Sequence, residues 1–266
     1  MHTDEVYVII AYGEKYITQA ENLVKSIMKF DTLRKFILIS NISHHNLFHE
    51  IINLDHEITN ESNAFNKYCI KPRIIASKYI KYDKFVMLDS DMLCLTSPEY
   101  MWNIFKNNDN CFNCIGGRDG STWHWNTIDS VNQCNNMNMK PMHAGITFFN
   151  KASDSYSKYY EDLLYAYTNY DLLNFKRKFR NNSMTEEIMF AYANDKNNII
   201  PFDFILYPVV SFNLSDSYSP EDFIISWDTP DSTCKTTGPT IFNHFTGYNE
   251  GNNAILYQKW LDKLQI

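Results

Sequence analysis

Two aspartates one residue apart, Asp89-Ser90-Asp91, follow directly on the apolar run Phe85-Val86-Met87-Leu88. Such a run is too short for a helix and rich in strand formers, so it reads as a buried central strand. In an open α/β sheet ligands bind outside the carboxyl ends of the strands, which places both acids at a site. Ser90 lets the two carboxylates approach one point on a turning backbone, as a hard divalent cation with oxygen ligands requires. The chemistry indicated is metal-assisted handling of a phosphate.

Other residues along the chain carry chemical potential of their own. His44, His45 and His49 are close in sequence, and the last two stand one helical turn apart. That spacing can hold a metal, but no acid or third ligand accompanies it, so a solvated helix face is expected. Arg73 follows Lys71-Pro72 in the first turn of a helix that leads into the central strand. Within Arg118–Asn126, Trp123 and Trp125 lie among hydrogen-bonding groups, which suits either a carbohydrate or the anchoring of a long loop. The small step Ala144-Gly145 precedes a strand and permits close approach of a ligand to the backbone. Glu186 and Glu187 begin a helix, where acids ordinarily complement the dipole. His244 sits between apolar residues and the glycine turn at Gly247; taken alone it reads as a buried histidine with a backbone partner.

These residues need elements to position them. Val6–Ala11 is a continuous apolar strand, and Ile17, Ala20, Val24 and Ile27 then recur at helical spacing before a second strand at 35–40. Strand, helix, strand implies a right-handed parallel crossover. Met92–Leu95 continues the central apolar run, Ser97-Pro98 starts a helix, and 111–117 is a further apolar segment. A strand follows Ala144-Gly145, then a Tyr-rich helix over 153–170, a basic connector over 174–182 and the helix opened by Glu186. Ile199–Tyr207 is expected as a strand, 211–240 as a long polar connection, and Ile255, Leu256, Trp260, Leu261 and Leu264 mark a closing amphipathic helix. The alternation predicts a single α/β domain over 1–266, with a Rossmann-like mixed, mainly parallel sheet flanked by helices. Neither GxGxxG nor GxxxxGK[ST] occurs, so no dinucleotide fold or P-loop is supported.

Composition narrows the classes. The net charge is -7, and the longest basic cluster is Lys176-Arg177-Lys178 with Arg180. A nucleic-acid partner is not expected, since such proteins present a basic face; an acidic protein that handles phosphates needs a cation to offset them. No stretch approaches the ~20 apolar residues of a membrane span. The opening Met1–Glu5 runs straight into a strand, so a soluble, cytoplasmic protein is expected. Of six cysteines only Cys111 and Cys114 have a motif spacing, and free thiols are the expected state.

Taken together, the ordered set resembles the retaining glycosyltransferases of family 8, over residues 6 to 248. Ile10, Ala11, Tyr12 and Tyr16 look like the uridine-binding first loop, and Arg73 like the basic residue upstream of the DxD motif Asp89-Ser90-Asp91. His143-Ala144-Gly145 is similar to the family's Asn-Ser-Gly step, Glu186-Glu187 to its Asp-Gln region, and His244-Phe245-Thr246-Gly247 to its His-x-x-Gly metal motif. The resemblance implies a GT-A fold with a nucleotide-binding half over about 1–95 and an acceptor and metal-completing half over about 96–266. It implies that Asp89, Asp91 and His244 hold Mn2+, with Mg2+ as the alternative, and that the metal grips the diphosphate of a UDP-sugar. Tyr12 or Tyr16 would contact the uracil, Arg73 with Asp89 the donor sugar or ribose, and Ser90, His143, Ala144, Gly145 and Gly247 would line the donor site. Glu186 or Glu187, with Arg73, would serve the transfer of a hexose or N-acetylhexosamine to a hydroxyl on a carbohydrate, lipid-linked, polyol or protein acceptor; a homodimer is compatible with this.

Three departures stand out. Tyr248-Asn249-Glu250-Gly251 replaces a Lys-Pro-Trp whose lysine binds phosphate, His143 stands where asparagine is usual, and Thr185-Glu186 aligns with Asp-Gln. Two rival readings follow: a UDP-sugar-binding protein impaired in transfer, and a phosphatase of the haloacid dehalogenase type, whose nucleophile motif is also a DxD after an apolar strand.

Overall fold

Strand β1 (Glu5–Ile10) shows how the chain is layered. Val6 and Val8 face one core and Tyr7 and Ile9 the other, and all four are fully buried. A strand covered on both faces belongs to the middle of a sheet with helices on either side. The computed structural model describes residues 4–116, 128–175, 184–202, 209–217, 225–226, 233–234, 240–245 and 252–266. After β1 come α1 (Glu14–Met28), β2 (Lys35–Ile39), β3 (Glu50–Ile52), α2 (Asp55–Ile58) and α3 (Lys71–Tyr79). Next are β4 (Lys84–Leu88), β5 (Met92–Cys94), α4 (Glu99–Lys106), β6 (Phe112–Gly116), α5 (Ile128–Asn135) and β7 (Met142–Asn150). The remainder holds α6 (Tyr156–Thr168), α7 (Glu186–Lys196), β8 (Val210–Phe212), β9 (Ile225–Ser226), β10 (Thr233–Cys234), β11 (Phe242–His244) and α8 (Asn252–Leu264).

The main sheet has the order β3-β2-β1-β4-β7-β6. Its pairings from β3 through β4 are parallel, and those of β7 with β4 and β6 are antiparallel, so the sheet is mixed and mainly parallel as expected. Helices α1 and α4 pack on one face through Ala20, Leu23, Val24, Ile27 and Trp102. On the other face α3, α6 and α7 pack through Ile74, Leu163 and Met189. A second, smaller sheet, β5-β11-β8, lies between the first and α8. Met92 and Cys94 turn toward the main sheet's core, while Leu93 and Leu95 join Phe245, Tyr257 and Trp260 of the α8 side. The period-two alternation of a strand thus splits β5 between two cores.

Several local expectations are corrected. Residues 44–49 are not helical: His49 donates its N–H to the Phe36 carbonyl at 2.8 Å and accepts the Phe36 N–H on Nδ1 at 3.2 Å, so pairing with β2 overrides the helical spacing. His45 instead meets Glu21 Oε1 at 2.8 Å. The helix carrying Arg73 starts earlier than Lys71, through a π turn over Asn66–Ile70. Pro72 lacks an N–H and crowds the carbonyl four residues back, and the wider turn accommodates it. Ala144 and Gly145 lie inside β7 rather than before it, beside a register shift between Cys114 and Ile115. Ser211 and Phe212, expected in the connection 211–240, are part of a strand with Val210 because they pair in parallel with β11. Of Ile199–Tyr207, Phe202 forms a single bridge with Ile115 and residues 203–207 lie outside the described set. Cys111 and Cys114 are both free and buried.

Candidate metal centre and its cavity

The acids stand where the chain changes sheets. β4 ends at Leu88 and β5 begins at Met92, leaving Asp89, Ser90 and Asp91 to make the turn between them. The Asp89 N–H donates to the Gly145 carbonyl at 2.9 Å, and the Asp91 carbonyl accepts the Phe245 N–H at 2.9 Å. β11 runs antiparallel to β5 with His244 opposite Met92, so the sheet register delivers the histidine to the acids. His244 Nε2 lies 3.1 Å from Asp91 Oδ1 and 3.6 Å from Asp89 Oδ2. One ligand atom from each of the three residues falls within 4.8 Å of the others. Two carboxylate oxygens from one turn and one imidazole nitrogen from β11 suit a divalent ion such as manganese.

Arg73 fixes the first acid. Its guanidinium donates to Asp89 Oδ1 and to the Ala144 carbonyl, tying α3 to β4 and β7. The side chains are 8% and 25% exposed, so this ion pair is largely desolvated, and removing either partner strands the other charge. Burial alone would raise the Asp89 carboxyl, but the Arg73 and His244 charges hold it below its ordinary value. For His244 burial opposes the charged form, yet Asp91 and Asp89 more than offset it and the imidazole is raised. Gly145 makes this crowding feasible: a Cβ there would lie 2.3 Å from His143 Cε1, 2.7 Å from Met92 Cε and 2.8 Å from Asp89 Oδ2. The glycine admits these side chains, whereas the sequence suggested room for a ligand.

The acids face a cavity of about 530 Å³, lined by Ile10 at the end of β1, Tyr12 of the loop after it and Tyr16 in the first turn of α1, with Arg73, Asp89, Ser90, Asp91 and Glu186. Its remaining wall, Ala64, Phe65, Tyr68 and Cys69, comes from the helical turn ahead of α3 and was missed from the sequence. The signal was present as the i, i+3, i+4 spacing of Phe65, Tyr68 and Cys69. Tyr12 and Tyr68 rings are 5.2 Å apart, and Tyr16, Phe65 and Tyr68 are exposed, so the mouth offers aromatic faces for a flat group. Volume and lining fall within the range of small-molecule sites.

The two glutamates of α7 differ in surroundings. Glu187 Oε1 accepts the Ala144 N–H at 3.1 Å and so braces β7. Glu186 borders the cavity, its Oε2 is buried without a hydrogen-bond partner among the described residues, and burial raises its carboxyl. Ala11 is buried and donates its N–H to the Ile39 carbonyl, behind the cavity wall. His143, Ala144 and His244 stand behind the acids, with His143 Nε2 3.0 Å from His244 Nδ1. Gly247, Glu250, Trp123, Trp125 and the Lys176–Arg180 cluster lie outside the described residues.

No protein-family model matches the chain, and no curated protein sequence matches it. Solved structures do. The galactosyltransferase LgtC, in complex with donor and acceptor sugar analogues, is 13% identical with a TM-score of 0.64, over 98% of this chain and 94% of that one. Mouse xyloside xylosyltransferase 1 is 9% identical with a TM-score of 0.60, over 92% of this chain and 99% of that one. The bifunctional glycosyltransferase WbbM is 12% identical with a TM-score of 0.61, over 98% of this chain and 49% of that one. The chain has the GT-A type α/β fold of these proteins.

Proposed function

We propose that this GT-A protein is a retaining glycosyltransferase of the family 8 type, moving a hexose or N-acetylhexosamine from a UDP-sugar to a hydroxyl acceptor with Mn2+. The observation that carries the reading is the convergence of Asp89, Asp91 and His244 at the carboxyl end of β4, with the two acids on the wall of a cavity with an aromatic mouth. A divalent cation bound there supplies Lewis-acid stabilisation of the charge that develops on the leaving diphosphate, worth several kcal/mol.

The chain's own residues divide the remaining work. Asp89 Oδ2, Asp91 Oδ1 and His244 Nε2 are the atoms turned toward one another, and Arg73 holds the Asp89 carboxylate in place through its other oxygen. Tyr12, Tyr16, Phe65 and Tyr68 present ring faces on which the uracil stacks. Glu186 is the acid offered to the donor sugar, since Glu187 is committed to the Ala144 backbone. Burial raises the Glu186 carboxyl, and the group would hydrogen-bond a sugar oxygen or stabilise positive character at the anomeric carbon. Retention follows if the acceptor hydroxyl attacks the face the diphosphate leaves, with the leaving phosphate taking the proton, so no protein nucleophile is required. The acceptor is a carbohydrate, lipid-linked, polyol or protein hydroxyl, and no helix among the described residues is long and apolar enough to cross a membrane.

The test is a screen of UDP-sugars for Mn2+-dependent release of UDP. One donor turned over above the others supports the reading. UDP and Mn2+ binding with no turnover of any donor favours the impaired binding protein, and phosphate release from a generic aryl phosphate favours the phosphatase.

A further inference from the structure

We infer that His143 is the positioning partner of the metal-binding histidine: its Nε2 accepts the Nδ1 proton of His244 and thereby keeps His244 Nε2 free to ligate. The inference rests on the metal reading above and deepens it.

The argument begins with what each nitrogen of His244 faces. Nε2 looks at two carboxylate oxygens, 3.1 Å and 3.6 Å away, and Nδ1 looks at His143 Nε2, 3.0 Å away. A neutral imidazole has one donor nitrogen and one acceptor nitrogen. To ligate a cation, Nε2 must present its lone pair, so the single proton of His244 must sit on Nδ1 and needs an acceptor there. His143 Nε2 is that acceptor, and it can act so only when the His143 proton is on its Nδ1. The opposite assignment, with His143 donating to His244 Nδ1, would put the His244 proton on Nε2 and block ligation. Metal-bound histidines commonly have their second nitrogen held this way, usually by a carboxylate or a carbonyl. Here a second imidazole takes that place.

The packing holds both rings in this relation. The two imidazoles are 9% and 6% exposed, so water does not compete for the bond between them. Phe212 of β8 touches both, with ring centroids 4.8 Å from His143 and 5.3 Å from His244. On the far side the missing side chain of Gly145 leaves the space into which His143 Cε1 projects. The three rings and the glycine come from β7, β8 and β11, elements brought together only by the fold.

The experiment is Mn2+ binding by equilibrium titration to wild type, His143→Leu, His143→Gln and Asp91→Ala, each checked for folding by circular dichroism. Gln places an amide oxygen near the position of Nε2, and Leu keeps bulk without an acceptor. The expected result is a loss of about 10–100-fold in affinity for His143→Leu, and retention within about threefold for His143→Gln. A folded His143→Leu that binds like wild type, or a His143→Gln as weak as His143→Leu, overturns the inference while the metal reading stands. A wild type that does not bind Mn2+ overturns both. Should His143→Leu not fold, imidazole 15N spectra of the Cd2+-loaded wild type decide: an unprotonated His143 Nε2 and a protonated His244 Nδ1 are expected, and a proton on His143 Nε2 overturns the assignment.

Discussion

Glu186 and Glu187 are adjacent in sequence and differ in surroundings. The backbone N–H of Ala144 occupies Glu187 Oε1, whereas Glu186 borders the cavity and its Oε2 has no hydrogen-bond partner among the described residues. Glu186→Gln is expected to lower the turnover of UDP-sugar by 10-fold or more, as removal of a group acting on the developing charge does, while leaving UDP affinity unchanged. Glu187→Gln retains an oxygen for the Ala144 N–H and should transfer at near the wild-type rate; steady-state kinetics of the pair would sink the division if both variants matched wild type. Gly145 gives a second residue-scale prediction. Gly145→Ala forces a methyl into His143, Met92 and Asp89 at once, so a stability loss of about 1–3 kcal/mol is expected from urea unfolding, with weaker Mn2+ binding. Equal stability would mean that the cluster yields. Asp89 and Asp91 were legible in sequence as candidate ligands because two acids directly after an apolar run have few structural uses, whereas the part played by Gly145 was not, since the side chains it makes room for meet only in the fold. The choice between the glutamates was not legible, since it depends on a backbone N–H contributed by β7.

Elements explain why the cavity has its shape. The turn 89–91 carries the chain from the main sheet to the second, and the hydrogen bond from the Cys94 N–H to Ser26 Oγ at 2.9 Å anchors β5 on α1. The π turn ahead of Pro72 sets the angular position of Phe65 and Tyr68 relative to Arg73. Stacking on an aromatic face contributes about 1–3 kcal/mol per base, so Tyr68→Ala should weaken UDP binding by roughly 5–150-fold and leave Mn2+ binding in the absence of nucleotide unchanged. Calorimetry showing unaltered UDP affinity would remove Tyr68 from the nucleotide surface. Strands β1, β2 and β4 were readable as apolar runs and α1 from its apolar periodicity, and the starts of α4 and α7 from Ser97-Pro98 and Glu186-Glu187, because local pattern and burial agree there; β3, in the stretch read as a helix face, was not foreseen. What escaped were elements made by long-range pairing: β8 exists because β11 lies beside it, and the segment around His49 is extended because Phe36 claims its backbone. Spacing alone cannot reveal such partners.

At the scale of the molecule the two ends of the main sheet hold opposite kinds of polar structure. Around the start of β1, Arg34 bonds Asp31 at 2.7 Å, Glu5 at 2.8 Å and Glu99 at 2.9 Å, and lies over the Trp102 ring. Tyr7 donates to Asp31 at 2.8 Å and receives the Trp102 indole N–H at 2.8 Å, closing a buried network between β1, α4 and the connection from α1 to β2. Burial would raise the Asp31 carboxyl, but the Arg34 and Tyr7 hydrogen bonds lower it below 3.8. A depressed carboxylate stabilises the fold above its unfolded-state value, and that stability is lost as pH falls through the folded-state value. Thermal unfolding should therefore show wild type losing stability below pH 3.8 more steeply than Asp31→Asn, which starts lower at neutral pH; parallel acid limbs would contradict the role given to this network. The opposite end holds acids aimed at one point, and only the fold unites them with His244 from the far end of the chain. The most direct test of the account is UDP release from the preferred UDP-sugar with Mn2+, measured on wild type and on Asp91→Ala with Mn2+ affinity determined for each. Loss of both binding and release in a folded Asp91→Ala is the predicted result. Undiminished Mn2+-dependent release by that variant would contradict it.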